Sequence, residues 1–92
     1  MDKFIMGSDG LTLIIISSLS DIHVVRIRVD GTEQFCLRAD AINDNYYKLY
    51  YYDTKEDAIR ALSEIATYIR SASVACISID KQGGVSATHF ID

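Results

Sequence analysis

The run Ile22-His23-Val24-Val25-Arg26-Ile27-Arg28-Val29-Asp30-Gly31-Thr32-Glu33-Gln34-Phe35-Cys36-Leu37-Arg38 carries the decision about the fold. Its first half alternates at period two: His23, Val25, Ile27 and Val29 share one face, and Val24, Arg26 and Arg28 share the other. Its second half alternates as well, with Phe35 and Leu37 on one face and Gln34, Cys36 and Arg38 on the other. Asp30-Gly31 between them marks a hairpin. Register then decides which residues meet. A two-residue turn sets Ile27 opposite Gln34 and Arg26 opposite Phe35. A three-residue loop sets Ile27 opposite Phe35, Val25 opposite Leu37 and Arg28 opposite Gln34. Directly paired residues lie on one face, and a one-residue slip turns every side chain over. The match of apolar with apolar predicts the three-residue loop, Asp30 to Thr32, or a bulge beside it.

Downstream, Asn43-Asp44-Asn45 is a second turn, built of residues that tolerate left-handed backbone. It lacks the ligand spacing and the glycine of a calcium loop. Tyr46 to Tyr52 follows as a strand with five tyrosines. A three-residue loop here as well places Leu37 opposite Tyr51 and Arg38 opposite Tyr50. Thr54 then opens the one clear helix as its N-cap, with Asp57 in the capping-box position and Glu56 also in the first turn. Ala58, Leu62, Ile65 and Ile69 form an apolar stripe, widened by Ile59 and Ala66. Glu56, Arg60 and Glu64 alternate in sign on the wet side. Arg70 suits the last turn, and Ser71 ends the helix. The stripe reads as core, with a partner-binding groove helix as the alternative.

Upstream, Gly7-Ser8-Asp9-Gly10 is a turn. Leu11 to Ile16, apolar throughout and rich in isoleucine, reads as a central strand buried on both faces. Ser17 to Asp21 breaks it. At the other end Val74 to Ile79 is a strand, Lys81-Gln82-Gly83-Gly84 a turn, and Val85 to Ile91 a final strand. The expectation is one α+β domain over residues 1–92: a mainly antiparallel sheet of four to six strands with the helix Thr54–Arg70 on one face, packed on Val25, Ile27, Phe35, Leu37, Leu49 and Tyr51. One helix cannot cover both non-polar faces of such strands, so a homodimer is expected.

Composition bounds the function. The chain has 92 residues, 49% apolar and 24% charged, which suits one globular domain rather than disorder. Nine Lys and Arg against 13 Asp and Glu give a net charge of -4. That balance disfavours a nucleic-acid coat or a membrane-surface protein, both of which need a positive field. Leu13–Ile16 is far short of the roughly 20 apolar residues that span a bilayer, so no membrane partner is expected. Met1-Asp2-Lys3-Phe4 has no basic start and no cleavage site follows, which predicts a cytoplasmic chain. Cys36 and Cys76 lie in strands without a CxxC spacing, and read as reduced structural thiols. His23 and His89 alternate with apolar residues and read as ordinary strand histidines. Gly83-Gly84 is a lone pair in a turn, not a phosphate loop. No nucleophile elbow or metal-ligand spacing stands out, so a non-enzymatic chain with no cofactor and no metal is expected.

Under the three-residue register, Arg26, Arg28, Cys36, Arg38, Tyr50 and Tyr52 gather on the sheet face away from the helix, with Tyr46 and Lys48 at matching parity. Such a face has three readings. It is a protein interface, with a copy of itself or another protein, since Tyr and Arg dominate binding hot spots. It is a stacking platform for single-stranded nucleic acid. Or the C-terminal hairpin folds over it and satisfies the tyrosine hydroxyls. The first is favoured, with Arg26, Arg28, Arg38, Tyr46, Lys48, Tyr50 and Tyr52 as the binding residues.

Tyr52-Asp53-Thr54-Lys55-Glu56-Asp57-Ala58, followed by Leu62 and Ile65, resembles small proteins of phages and prophages of Gram-positive bacteria. The resemblance covers residues 11–70, and residues 71–92 extend beyond the usual pattern. It implies a mobile-element protein that inhibits a nucleic-acid-binding host defence enzyme, as anti-CRISPR proteins do.

Overall fold

A computed structural model describes residues 2–91. In chain order the elements are β1 (Phe4–Met6), β2 (Leu13–Ile15), a 3-10 turn (Ile16–Ser18), β3 (Leu19–Val29), β4 (Thr32–Ala41), β5 (Tyr46–Tyr52), α1 (Lys55–Arg70), β6 (Val74–Ile79) and β7 (Val85–His89). The class is α+β with one helix, and the strands form two sheets rather than one. Four strands run in the order β2-β1-β6-β7 and three in the order β3-β4-β5. The three-stranded sheet is antiparallel throughout. The four-stranded sheet is mixed, because β1 lies parallel to β6.

The Asp30-Gly31 turn is the hinge of the chain's largest departure from its apolar pattern. Asp30 (φ 50°) and Gly31 (φ 80°) both take left-handed backbone, the combination that a two-residue hairpin turn requires. The observed pairs are therefore Ile27 with Gln34, Arg26 with Phe35 and Val24 with Leu37. The three-residue loop is corrected. Turn chemistry wins here because the hairpin overruns the core: residues 28–33 are exposed on both faces, so mispaired polarity at the tip carries no burial penalty. Arg26 lays its guanidinium 5.8 Å from the Phe35 ring centre and 3.8 Å from Glu33, while its side chain stays largely in water.

The second loop differs too. It spans residues 42–45, with Asp44 in left-handed backbone (φ 71°) and Asn45 N–H donating to Asn43 Oδ1 at 3.2 Å. β5 then carries a bulge: Arg38 pairs with Lys48 but Leu37 with Tyr50, which leaves Leu49 without a direct partner. Leu37 thus faces Tyr50, not Tyr51, and Arg38 faces Lys48, not Tyr50. The extra residue shifts the alternation midway along the strand.

The core lies between the sheets and the helix. Ile5, Ile14, Val74, Ile77 and Ile79 come from the four-stranded sheet, Phe35, Leu37, Ala39, Leu49 and Tyr52 from the three-stranded sheet, and Ala58, Ala61 and Ile65 from α1. The helix begins as its sequence dictates, with Thr54 Oγ1 accepting from Asp57 N–H at 3.2 Å. It packs on Phe35, Leu37 and Leu49 as expected. Val25, Ile27 and Tyr51 are instead on the far face, by the register just given. Ile59 is 45% exposed and Ala61 takes its place in the buried stripe. Leu11 to Ile16 is likewise corrected: only Leu13–Ile15 is strand, it sits at a sheet edge, and Leu13 and Ile15 are exposed around a buried Ile14. A two-sided apolar run is also what an edge strand with one unpartnered face looks like.

Candidate functional site

The outer face of β3-β4-β5 is a grid fixed by register. Successive rows are Ile27–Gln34, Val25–Cys36–Tyr51, His23–Arg38–Lys48 and Asp21–Asp40–Tyr46. Tyr46 and Tyr51 are exposed, Val25 and Ile27 are half-buried, and Val29 at the end of the same row of side chains is 46% exposed. None of these five belongs to the hydrophobic core or to its half-buried rim.

Of the seven residues singled out from the sequence, this face holds Arg38, Tyr46 and Lys48. Arg26, Arg28, Tyr50 and Tyr52 lie on the helix-facing side and do not join them. The cause is the two slips described above: the tight turn moves the arginines of β3, and the Leu49 bulge moves the tyrosines of β5. Val25, Ile27 and Tyr51, assigned to the core from their pattern, are the residues that sequence reasoning missed. The signal that could have found Val25 and Ile27 is Asp30-Gly31 itself; Tyr51 depends on the bulge at Leu49.

Tyr50 and Tyr52 are closed off by the turn between β6 and β7. Tyr52 donates its hydroxyl to the Gly83 carbonyl at 2.7 Å and Tyr50 to the Lys81 carbonyl at 3.0 Å. Their rings tilt against each other, 4.8 Å between centres. Gly83 takes φ +84°, and a Cβ there would stand 2.7 Å from Tyr52 and 2.8 Å from Tyr50. Burial, with the neighbouring Tyr50 adding to it, pushes the Tyr52 hydroxyl up to about 12. The covered reading of the tyrosines thus holds for this pair.

Charge on the outer face is mostly spent internally. Arg38 donates from Nε to Asp40 Oδ1 at 2.7 Å and from Nη2 to Oδ2 at 3.3 Å. That fork holds the Asp40 carboxyl below its ordinary range and the guanidinium above its own. The same guanidinium lies 4.3 Å from the Tyr46 ring centre. Lys48 is held above its ordinary value by the Tyr51 hydroxyl first, then by the charge interaction with Tyr51 and Tyr46. Burial pushes the Cys36 thiol up, against the opposing pull of Lys48 and Arg38. Both Cys36 and Cys76 are free thiols.

Among the described residues one group has metal-ligand character: donor atoms of Asp21, His23 and Asp40 lie within 4.8 Å of one another. His23 Nδ1 sits 3.1 Å from Asp21 Oδ2, shielded from solvent but without a well-formed hydrogen bond. Arg38 already engages both Asp40 oxygens and sets a fixed positive charge beside any cation; it neutralises Asp40 and leaves Asp21 to His23. Elsewhere, an apolar groove of about 300 Å³ runs between α1 and the start of β3, lined by Ile16, Leu19, Ile22, Leu62 and Ile69. A more polar hollow of about 290 Å³ lies between α1 and the β6-β7 turn. It contains an Arg60–Asp57 ion pair at 3.4 Å. No helix among the described residues is long and apolar enough to cross a membrane.

In comparisons with known proteins, no family model, curated protein or solved structure matches the chain. The functional reading therefore stands on the geometry.

Proposed function

We propose that this chain is a non-enzymatic protein-interaction module that binds through the outer face of β3-β4-β5. The observation that carries the reading is a patch of Val25, Ile27, Val29, Tyr46 and Tyr51 outside the core, beside Arg38 and Lys48. Aromatic and aliphatic side chains flanked by Arg suit a desolvated interface centre. A single-stranded nucleic-acid platform fits the same face less well. Asp40 takes up the charge of Arg38, whose guanidinium already lies over the Tyr46 ring, so among the described residues Lys48 is the one lysine or arginine of the face without an ion pair. Stacking needs open ring faces and phosphate binding needs unspent cations. An inhibitor of a host defence enzyme, as the resemblance of residues 52–58 implies, would be one instance of such a module.

The test is capture of proteins from native-host lysate, with and without nuclease, by wild type and by a Val25→Glu/Tyr51→Ala variant. Proteins retained by the wild type and lost by the folded variant support the reading. Equal retention by both overturns the assignment of this face. Retention that disappears on nuclease treatment turns the reading to nucleic acid.

A further inference from the structure

We infer that the occupant of this outer face is a second copy of the chain, packed face to face about a two-fold axis that runs along β4. The inference rests on the reading of this face as a protein-binding surface and names its partner.

The charges left over on the face are self-complementary. Among the described residues Lys48 forms no ion pair, and Asp21 forms one with His23 alone, the charge of Arg38 being taken up by Asp40. These two lie on opposite flanking strands, Asp21 on β3 and Lys48 on β5, one row apart. A two-fold axis along β4 lays β3 of each copy over β5 of the other and keeps the rows level. Asp21 then lies opposite the Tyr46 hydroxyl of the second copy and within a row of its Lys48. One operation therefore supplies both leftover charges twice.

The same operation matches the apolar end of the face to itself. Val25 lies over Tyr51 of the second copy, and Ile27 and Val29 gather around them. On the axis, each Arg38 arrives already neutralised by its own Asp40. The alternative in-plane axis, across the strands, lays β3 over β3 with the rows reversed; it would press Ile27 onto Asp21 and Val25 onto His23, and would desolvate that carboxylate against an aliphatic group. The aligned arrangement also agrees with the usual packing of twisted sheets, whose strand directions stay within about 30°.

The extent of the face is adequate. Strands about 4.8 Å apart and about 3.4 Å per residue give roughly 450 Å² of flat area per copy over β3, β4 and β5. Two copies together give about 900 Å², to which side-chain relief adds, close to the roughly 1,000 Å² of a specific interface.

The experiment is sedimentation velocity across the micromolar range on the wild type, Asp21→Lys, Lys48→Asp and the double exchange. Circular dichroism checks that each is folded. The expected result is a wild-type dimer, weakened about tenfold or more by either single reversal and restored by the double exchange. A dimer indifferent to both reversals overturns the inference, as does one broken instead by Leu13→Glu on the β2 face. A wild type that is monomeric throughout also overturns it. If that monomer still retains another protein through Val25 and Tyr51, the protein-binding reading survives; if it does not, both fail.

Discussion

β5 holds two kinds of tyrosine in one seven-residue strand. Tyr50 and Tyr52 point toward the helix side, bonded to carbonyls of the β6-β7 turn and pressed against Gly83. Tyr46 and Tyr51 point outward, 52% and 40% exposed. The residues are chemically identical, and the strand's alternation with its bulge at Leu49 assigns them to different work. The inner pair closes the seam between the two sheets, and the outer pair offers contact area. Composition alone does not distinguish them: a count of tyrosines measures how much aromatic surface exists, not where it is spent.

The contrast can be broken or sharpened by paired substitutions, and the largest effect is expected from aliphatic truncation. Leu37→Ala removes a fully buried side chain on the inner face and should lower unfolding free energy by about 2–5 kcal/mol. Val25→Ala, one row away on the outer face, should lower it by less than about 1 kcal/mol in the monomer. Urea denaturation of both variants measures the gap; equal losses would mean that the outer face is covered.

A smaller effect separates two glycines that share left-handed backbone. Gly31→Ala meets open space and carries only the conformational penalty, about 1 kcal/mol. Gly83→Ala carries that penalty and drives a methyl into Tyr50 and Tyr52, for a total of about 2–3 kcal/mol. Thermal melting that ranks Gly31→Ala the worse would show that the seam yields easily.

Hydroxyl removal is smaller again. Tyr52→Phe leaves the Gly83 carbonyl without its partner and should cost about 1–2 kcal/mol. Tyr51→Phe should stay within about 0.5 kcal/mol.

The last contrast is silent at neutral pH and emerges in alkali. Tyr52 is neutral when protonated, and its folded value, about 12, lies above the ordinary 10.0. The folded state therefore holds this proton more tightly than the unfolded chain does. Its contribution to stability is complete below pH 10, erodes as pH rises through about 12 and is absent beyond. An absorbance titration of tyrosinate should show one late-ionising group that disappears in Tyr52→Phe. Loss of stability over the same window should be shallower in that variant.

How far the sequence could be read differs element by element. The helix was legible from Thr54 to Ser71 because caps and periodicity are local properties. Most strands and turns were legible for the same reason. β1 was not, since Phe4–Met6 is three residues long and becomes a strand only by pairing with β2 and β6. The candidate face was half legible: Arg38, Tyr46 and Lys48 were found, and Arg26, Arg28, Tyr50 and Tyr52 were placed with them wrongly. Each error is a slip of one residue, at Asp30-Gly31 and at Leu49. In a strand of period two, such a slip is the whole difference between the inside and the outside.

By itself, then, the sequence determined what is set within a few residues: the capped helix, the alternating strands, the Asp-Gly and Asn-Asp-Asn turns, and an acidic chain. The tertiary structure decided what depends on contacts far apart in the chain. It divided the strands between two sheets, laid β1 beside β6, and closed the β6-β7 turn over Tyr50 and Tyr52. It thereby left Val25, Ile27, Tyr46 and Tyr51 outside. The physical reason is that hydrogen-bonded turns and caps form from neighbours, whereas a side chain's burial depends on which distant surface arrives to cover it.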